Sequence, residues 1–569
     1  MKKILCMVLA ALTAISIAAC GSSNNAAPTG STTAAAEGDT SAQTGAAEDK
    51  TPITFTVFRE DTFANDDNFA GEISRQILAD TGVTIKMQYA VGDVEQKVSL
   101  MLASGDYPDM ISISHQVDMY IQQGAILKMD DLIEQYGPNI KKMYGQDLKR
   151  LRYNLNDLSI YNLCSYGANE MPIVPEAGFG LQLALLKEQG YPRIDTVQQF
   201  EEAIKKYIDD HPTIEGKPAI GLSLLADDWR AMITVRNPML LATGIPDDGD
   251  WYVDQATGKA SIALTRPEVK EYCRWLNHMN AIGLLDKESF VQKYEQYTAK
   301  IASGRLLGIT DAWWEIQDGE NALIAAGKAD RTYLMFPTQL DTTTKSKVFR
   351  DNGLRAGWGI SITKNCKDPV RAMKFLDYMC SEETQIMLNW GIEGVHYQVV
   401  NGKREFLPQY AEMKKNDNAN FVKTTSIGCY GAPWPHYGIG AVDSNGEYYN
   451  PDSSADQIIA NYQQPKIDAL KAYGASIVGD LFPKASELLR SSYGVAWTLD
   501  FAADSEEKII MQKYTDEWHK SLPEAIMAKP SDFDKVWDQF QQNLKNSGIE
   551  KAEASFTKMI QDRIKLYND

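Results

Sequence analysis

Tryptophans at loop-like positions are the residues of this chain whose type and spacing carry a chemical meaning. Trp313 and Trp314 stand side by side directly after an apolar, strand-like run, residues 306–309. Two large aromatic faces together are costly to expose without a use. Trp229 follows Asp227-Asp228 after another apolar run, Trp358 opens an alternating segment, and Trp434 sits in Tyr430-Gly431-Ala432-Pro433-Trp434. Flat aromatic surfaces combined with a few fixed polar groups in a cleft grip a ligand that has apolar C–H faces and hydroxyl edges. Ordinary core packing is the competing use of each of them. Arg59, Glu60 and Asp61 begin the loop after the first strand-like run, where a carboxylate and a guanidinium can hold paired hydroxyls; a plain surface loop is the alternative. His115 ends a third such run and serves equally well as a structural hydrogen-bonder. Asp109 reads as a brace or cap of its turn.

Patterns for bond-making chemistry are missing. The chain has no His-Glu-x-x-His, no Gly-x-Ser-x-Gly, no phosphate loop and no Cys-x-x-Cys. Gly438-Ile439-Gly440 lacks the third glycine of a dinucleotide fingerprint, and Asp443-Ser444-Asn445-Gly446-Glu447 has calcium-like composition without the full loop spacing, so a solvated turn is expected there. A glycoside hydrolase would need two carboxylates facing one cleft about 5–9 Å apart. Neither a cofactor nor a metal is expected.

One residue invites covalent modification. Lys2 and Lys3 precede an apolar run over residues 4–17, followed by Ala18, Ala19 and Cys20. This reads as a secretory signal peptide, residues 1–19, too short for a spanning helix. Its ending, Ile17-Ala18-Ala19-Cys20, resembles the bacterial lipobox, in which cleavage before the cysteine leaves that sulfur carrying a diacylglyceryl group. An ordinary signal with an incidental cysteine is the alternative. Two acyl chains are what stable anchoring needs. Residues 20–50 then hold no aliphatic side chain larger than alanine and no aromatic, a composition that cannot offset its ordering entropy. They read as a flexible tether with a reach of ~30 Å.

The rest, from residue 51 on, is 519 of the 569 residues and too long for one ordinary core. Formal charge is −19, or −21 once Lys2 and Lys3 leave with the signal. Such an acidic surface disfavours nucleic acid and anionic lipid as partners. Cys164, Cys273, Cys366, Cys380 and Cys429 form an odd, scattered set, read as buried small hydrophobes rather than a disulfide framework. Residues 53–58, 83–89 and 110–113 read as strands, and residues 69–79 and 94–103 as helices between them. That order defines an α/β domain with a mostly parallel sheet, whose ligands sit beyond the carboxyl ends of the strands. Further on the chain turns helical, over 197–209, 267–282, 287–303, 369–390 and 532–565, with a hairpin at 251–262.

Several of these segments resemble the extracellular solute-binding lipoproteins (family 1) of carbohydrate ABC importers, the branch related to maltose-binding proteins. The resemblance rests on KVSLMLASGDYPDMI at 97–111, LKMDDLIEQYGPNI at 127–140, RPEVKEYCRWLNHMNAIGLLDKESF at 266–290 and, most strongly, residues 358–397. After about residue 397 it is loose. It implies a helix-rich α/β fold of two lobes, periplasmic-binding-protein-like (type 2), with a ligand cleft between them. Lobe 1 would hold 51–163 and 353–400, and lobe 2 would hold 164–352 and 401–569. Trp313-Trp314 is similar to the family loop whose tryptophan packs on sugar. Glu393 and His396, in Gly391-Ile392-Glu393-Gly394-Val395-His396-Tyr397, are family-like residues that contact ligand or fix the crossing between lobes. The function implied is a monomeric, lipid-anchored receptor on the extracellular face of the membrane that hands a carbohydrate to an ABC permease. A surface glycoside hydrolase or polysaccharide lyase, or a receptor for a peptide, is the alternative.

Overall fold

The computed structural model describes residues 49–60, 69–90, 92–114 and 116–568. The expected signal peptide and lipidation site, Cys20, and almost all of the expected tether lie outside them, as do Asp61 and His115. Two-residue alternation builds β1 (Ile53–Arg59), β2 (Val83–Tyr89) and β3 (Met110–Ile113), with helices α1 (Glu72–Thr81) and α2 (Val94–Ser104) between them. β1 pairs in parallel with β2 and β3. Two more strands, β4 (Leu163–Cys164) and, far along the chain, one at Gly359–Ile362, complete a sheet that is only half parallel, because the Gly359–Ile362 strand runs antiparallel to both of its neighbours. Its two faces feed two cores: Phe55 and Val57 point into one, Phe58 into the other.

A second sheet takes β5 (Ala177–Gln182), β6 (Ile220–Ser223), β7 (Leu306–Ala312) and β8 (Tyr333–Phe336) in the order β8-β5-β7-β6. Its core is separate and collects the helices around it, including α3 (Trp313–Ala325). Two sheets with separate cores make the two lobes. The returning strand, now β9 (Gly359–Ile362), leads into α4 (Pro369–Met379), whose N-cap Asp368 accepts from the Arg371 N–H ahead of a buried stripe of Ala372, Phe375, Leu376 and Met379. Ser381 caps α5 (Glu382–Trp390) in the same way.

The structure departs from expectation after residue 400, all of which the resemblance assigns to lobe 2. Phe406, Phe421, Tyr430, Trp434, Tyr437 and Tyr449 pack into the core of the first lobe, and the chain rejoins the second core from Tyr462, which packs against it, to Ala469, which is inside it. Apolar side chains there complete a face of the first lobe that α4 and α5 leave open. The chain thus passes between lobes three times, near residues 168–179, 349–354 and 449–469. The first passage is zipped to the chain around Gly438: the N–H groups of Ala168, Asn169 and Met171 donate to the carbonyls of His436, Tyr437 and Ile439 at 2.9, 2.8 and 2.7 Å. The Gly438-Ile439-Gly440 pair serves that close approach. Both glycines have φ 92°, and a Cβ on Gly440 would lie 2.7 Å from that of Met171.

Toward the C-terminus, α6 (Glu506–Met527) precedes a segment read from sequence as one helix, and the structure breaks that segment into α7 (Phe533–Asn546) and α8 (Ile549–Asn568) at Gly548, φ 90°. Cys164, Cys273, Cys366 and Cys380 are buried and Cys429 is half-buried. Asp109 braces its turn, accepting from the N–H and hydroxyl of Thr56 at 2.8 Å each and pairing with Lys367 at 3.2 Å.

Candidate functional site

Aromatic rings from both lobes converge where the first two passages run. Tyr166 follows β4, Trp358 precedes β9, and Trp497 arrives from the C-terminal region. Their ring centroids lie 6.2 Å apart for Tyr166 and Trp358, 5.7 Å for Tyr166 and Trp497, and 4.6 Å for Trp358 and Trp497. The Arg355 guanidinium lies over the Tyr166 ring at 5.4 Å and reaches the Glu176 carboxylate at 4.0 Å. Glu176 in turn accepts a hydrogen bond from the indole of Trp314. Trp314 stacks on Trp229 at 6.4 Å with the planes 14° apart, and Arg230 lies 4.7 Å from the Trp229 ring. Asp247 acts on the same space, since its charge is felt by Tyr166 and Glu176.

The result is a run of flat faces interrupted by two carboxylates and a guanidinium, which is the equipment for holding hydroxyl edges against apolar ring faces. Surrounding protein pushes the Glu176 carboxyl above the usual range, with Arg355 pulling against it; the side chain is still 62% exposed, so water in the gap screens the effect. Burial raises Asp247 likewise, opposed chiefly by Arg236.

Trp497 is held by a buried anchor. The carboxylate of Asp248, 0% exposed, accepts from both terminal nitrogens of Arg350 at 2.9 and 2.8 Å, from the Tyr493 hydroxyl at 2.7 Å and from the Ala496 N–H at 3.3 Å. Next along the chain, Gly249 lets Trp497 approach: with φ 71°, a Cβ there would lie 2.9 Å from the Trp497 Cβ.

Beneath Trp314 lie two more carboxyls. Asp311 ends β7 and accepts from the Tyr297 hydroxyl at 2.7 Å, and Glu315, in the first turn of α3, accepts from Arg230 Nε at 3.2 Å. Burial, then repulsion from Glu315, pushes Asp311 up to about 8, and burial opposed by Arg230 pushes Glu315 up to about 7. Folding therefore favours their protonated forms. The stability they contribute is present at acidic pH and is lost as pH rises from about 4, the ordinary carboxyl value, through those raised values. Each carboxyl adds a slope of up to about 1.4 kcal/mol per pH unit over its window. The melting temperature is expected to fall between pH 5 and pH 8 more steeply in the native chain than in Asp311→Asn, a difference that differential scanning calorimetry reads directly.

Of the residues singled out from sequence, Trp229, Trp314 and Trp358 come together here. Trp313, 49% exposed, begins α3 beside them, its N–H donating to the Glu176 carbonyl at 3.0 Å. Arg59 is half-buried at the end of β1. Glu60 is turned inward, 3% exposed, its carboxylate taking the Ser114 N–H at 2.6 Å and the Tyr120 hydroxyl at 2.5 Å. It ties the loop after β1 to the loop after β3. Trp434 is a core residue, 0% exposed, packed edge-on against Phe375 and Phe69. His396, also 0% exposed, pairs with Glu72 of α1 at 2.6 Å and accepts from the Ile392 N–H at 3.0 Å, inside the first lobe. Glu393 is exposed on the adjoining turn. The calcium-like loop is a solvated turn over Ser444, Asn445 and Gly446, held at its base by Asp443, which is 6% exposed, pairs with Arg404 and accepts from the N–H groups of Asn445 and Glu447. Tyr166, Glu176, Asp247, Arg355 and Trp497 were not anticipated. Of these only Arg355 carried a local signal, three residues before Trp358 in the returning passage.

The fold and this gap define a two-lobed binding protein with its site between the lobes. Residues 72–391, more than half of the chain, match the bacterial extracellular solute-binding proteins, and the chain belongs to that family. Among curated relatives, the fructooligosaccharide ABC transporter substrate-binding protein FusA of Streptococcus pneumoniae is 24% identical over 342 residues, 57% of this chain and 60% of that protein. Lipoprotein LipO of Bacillus subtilis is 22% identical over 335 residues, 57% of this chain and 63% of that one. The chain thus spans about 60% of the length of these relatives. In fold it is similar to FusA in complex with kestose, at TM-score 0.65 and 18% identity over 90% of this chain and 99% of that one. An extracellular solute-binding protein from Bifidobacterium longum subsp. infantis superposes at TM-score 0.64 and 15% identity over 90% and 98%.

Proposed function

We propose that this protein captures a carbohydrate, an oligosaccharide, outside the cell and delivers it intact to the permease of an ABC transporter. The observation that carries this reading is a pair of aromatic sets, the Trp229–Trp314 stack and the cluster of Tyr166, Trp358 and Trp497, bridged by Glu176 and Arg355 with Asp247 beside them. Aromatic faces meet the C–H surfaces of sugar rings, and the ionic groups meet their hydroxyls. The similarity to FusA, whose structure holds kestose, and to the alginate-binding protein AlgQ2, at TM-score 0.59, supports a saccharide over a peptide. Lobe 1 is assigned 51 to about 168 with about 354 to 449, and lobe 2 the rest of the chain beyond the tether. The protein acts as a monomer at the outer face of the membrane, held by a lipid on Cys20 after removal of residues 1–19. The lipoprotein LipO among its relatives supports that anchor. Among the described residues no helix is long and apolar enough to cross a membrane.

Isothermal titration calorimetry against a panel of fructo-, malto-, manno- and xylo-oligosaccharides, with chromatography of the same samples afterwards, tests the proposal. A tight complex with one class, recovered uncleaved, is the expected result. Turnover without a stable complex, or binding confined to peptides, would overturn it.

A further inference from the structure

Next to the aromatic gap lies a second cavity that the reading above does not use. It measures about 280 Å³, at the lower end of the ~300–1,000 Å³ of small-molecule sites. One wall belongs to the first lobe: Asp118, which opens the helix after β3, and the loop carrying Tyr153, Asn154 and Leu155. The other wall is Leu499 and Asp500 with the side of α8 at Met559 and Arg563. Gly357 and Thr498 also line it, and each is the chain neighbour of a gap tryptophan, Trp358 and Trp497. The lobes touch at that point. Gly357 has φ 123°, and a Cβ on it would come within 2.9 Å of the Thr498 Cβ. The paired tryptophans therefore stand at the boundary between the gap and the cavity.

We propose that this cavity is a further sugar subsite, so that one oligosaccharide of at least three units runs from the Trp229–Trp314 stack, past Trp358 and Trp497, to a unit seated at Asp118 and Tyr153. The proposal rests on reading the gap as a carbohydrate site. The chemistry of the walls fits an uncharged sugar. Asp118, Asp500 and Asp562 are balanced by Arg150, Arg152 and Arg563, so the lining carries no net formal charge with which to select a uronate. The Asp118 Oδ1 accepts from the Tyr153 hydroxyl at 2.5 Å, which fixes the carboxylate and leaves its second oxygen, with no partner among the described residues, to accept a ligand hydroxyl. Glu60 holds the frame: by bonding the Ser114 N–H and the Tyr120 hydroxyl it fixes both flanks of Asp118. The Asp500 carboxylate is steadied by Lys508 at 2.6 Å and the Phe501 N–H at 2.8 Å. Leu499 and Met559 supply apolar surface for a ring face. Because the walls come from different lobes, a unit seated here adds contacts only while the lobes stand together.

Calorimetry with length ladders tests it: sucrose, kestose and nystose, and the di-, tri- and tetrasaccharides of the malto, manno and xylo series. In the ladder that binds, the third unit is expected to raise affinity about tenfold, the worth of one hydrogen bond to a charged group. Asp118→Asn and Leu155→Trp should each erase that increment while leaving disaccharide affinity within about twofold. Leu155 is 38% exposed, so the larger ring fills the cavity from its rim without disturbing a core. Disaccharide binding with no third-unit increment, or an increment that survives both substitutions, overturns the subsite and leaves the carbohydrate reading standing. Failure of every ladder to bind overturns the carbohydrate reading itself.

Discussion

Replacing Trp314 and Trp358 together by alanine lowers oligosaccharide affinity by about 100-fold or more, read by calorimetric titration. Buried tryptophans in binding clefts carry about 2 kcal/mol or more each, and every 1.4 kcal/mol is about tenfold in affinity. The two indoles come from different lobes, Trp314 at the start of α3 and Trp358 before β9, so the double variant strips one face from each side of the gap. Both are half-buried, so the melting temperature of the unliganded protein should fall by only a few degrees. The single Trp314→Ala variant also removes the indole donor to Glu176 and the partner that Trp229 stacks on. Unchanged affinity in the double variant would remove this gap from consideration as the ligand site.

Asp248→Ala carries the largest expected loss of stability, about 3–5 kcal/mol, the usual penalty for leaving one member of a buried ion pair behind. Arg350, 7% exposed, would keep its charge with Nη2 unpaired and Nη1 left only the Tyr493 hydroxyl, and the Tyr493 hydroxyl and the Ala496 N–H would lose their acceptor. Whole domains are stable by only about 5–15 kcal/mol, so the midpoint of urea unfolding should drop markedly. The same variant should bind ligand more weakly even where it remains folded, because the Ala496 N–H is the last fixed point before Trp497. A loss below about 1 kcal/mol would show that Arg350 finds another partner.

Local patterns made the framework of the first lobe legible, and three-dimensional neighbours decided the site. β1 to β3 and their helices could be read because strand alternation and helix stripes are properties of a few consecutive residues. The parallel sheet was half wrong because β9 and β4, which close it, are brought in by a passage from the other lobe. Trp434 and Trp358 look alike in sequence, each an aromatic beside glycine or proline. One fills the space between Phe375 and Phe69, the other faces Trp497, and nothing within several residues of either distinguishes them. His396 stands out in sequence for either of two roles, and the structure buries it on Glu72, 324 positions away. Glu60 fails for a different reason. A carboxylate at the end of a strand invites a ligand, yet the segment after the neighbouring parallel strand offers it the Ser114 N–H and the Tyr120 hydroxyl first. Trp497 and Asp247 become site residues only through the Asp248 anchor, a contact between segments some 250 residues apart.

The third passage of the chain, near residues 449–469, has a mechanical consequence. Two bodies joined by a pair of adjacent strands can both bend and twist about the joint. A third connection, leaving the first lobe's core at Tyr449 and reaching the second near Tyr462, restrains that twist. Less orientational freedom then remains to be frozen when ligand draws the bodies together, so less of the contact energy is consumed in aligning them. On the function proposed above, a more restricted change of shape is also a clearer message for the permease.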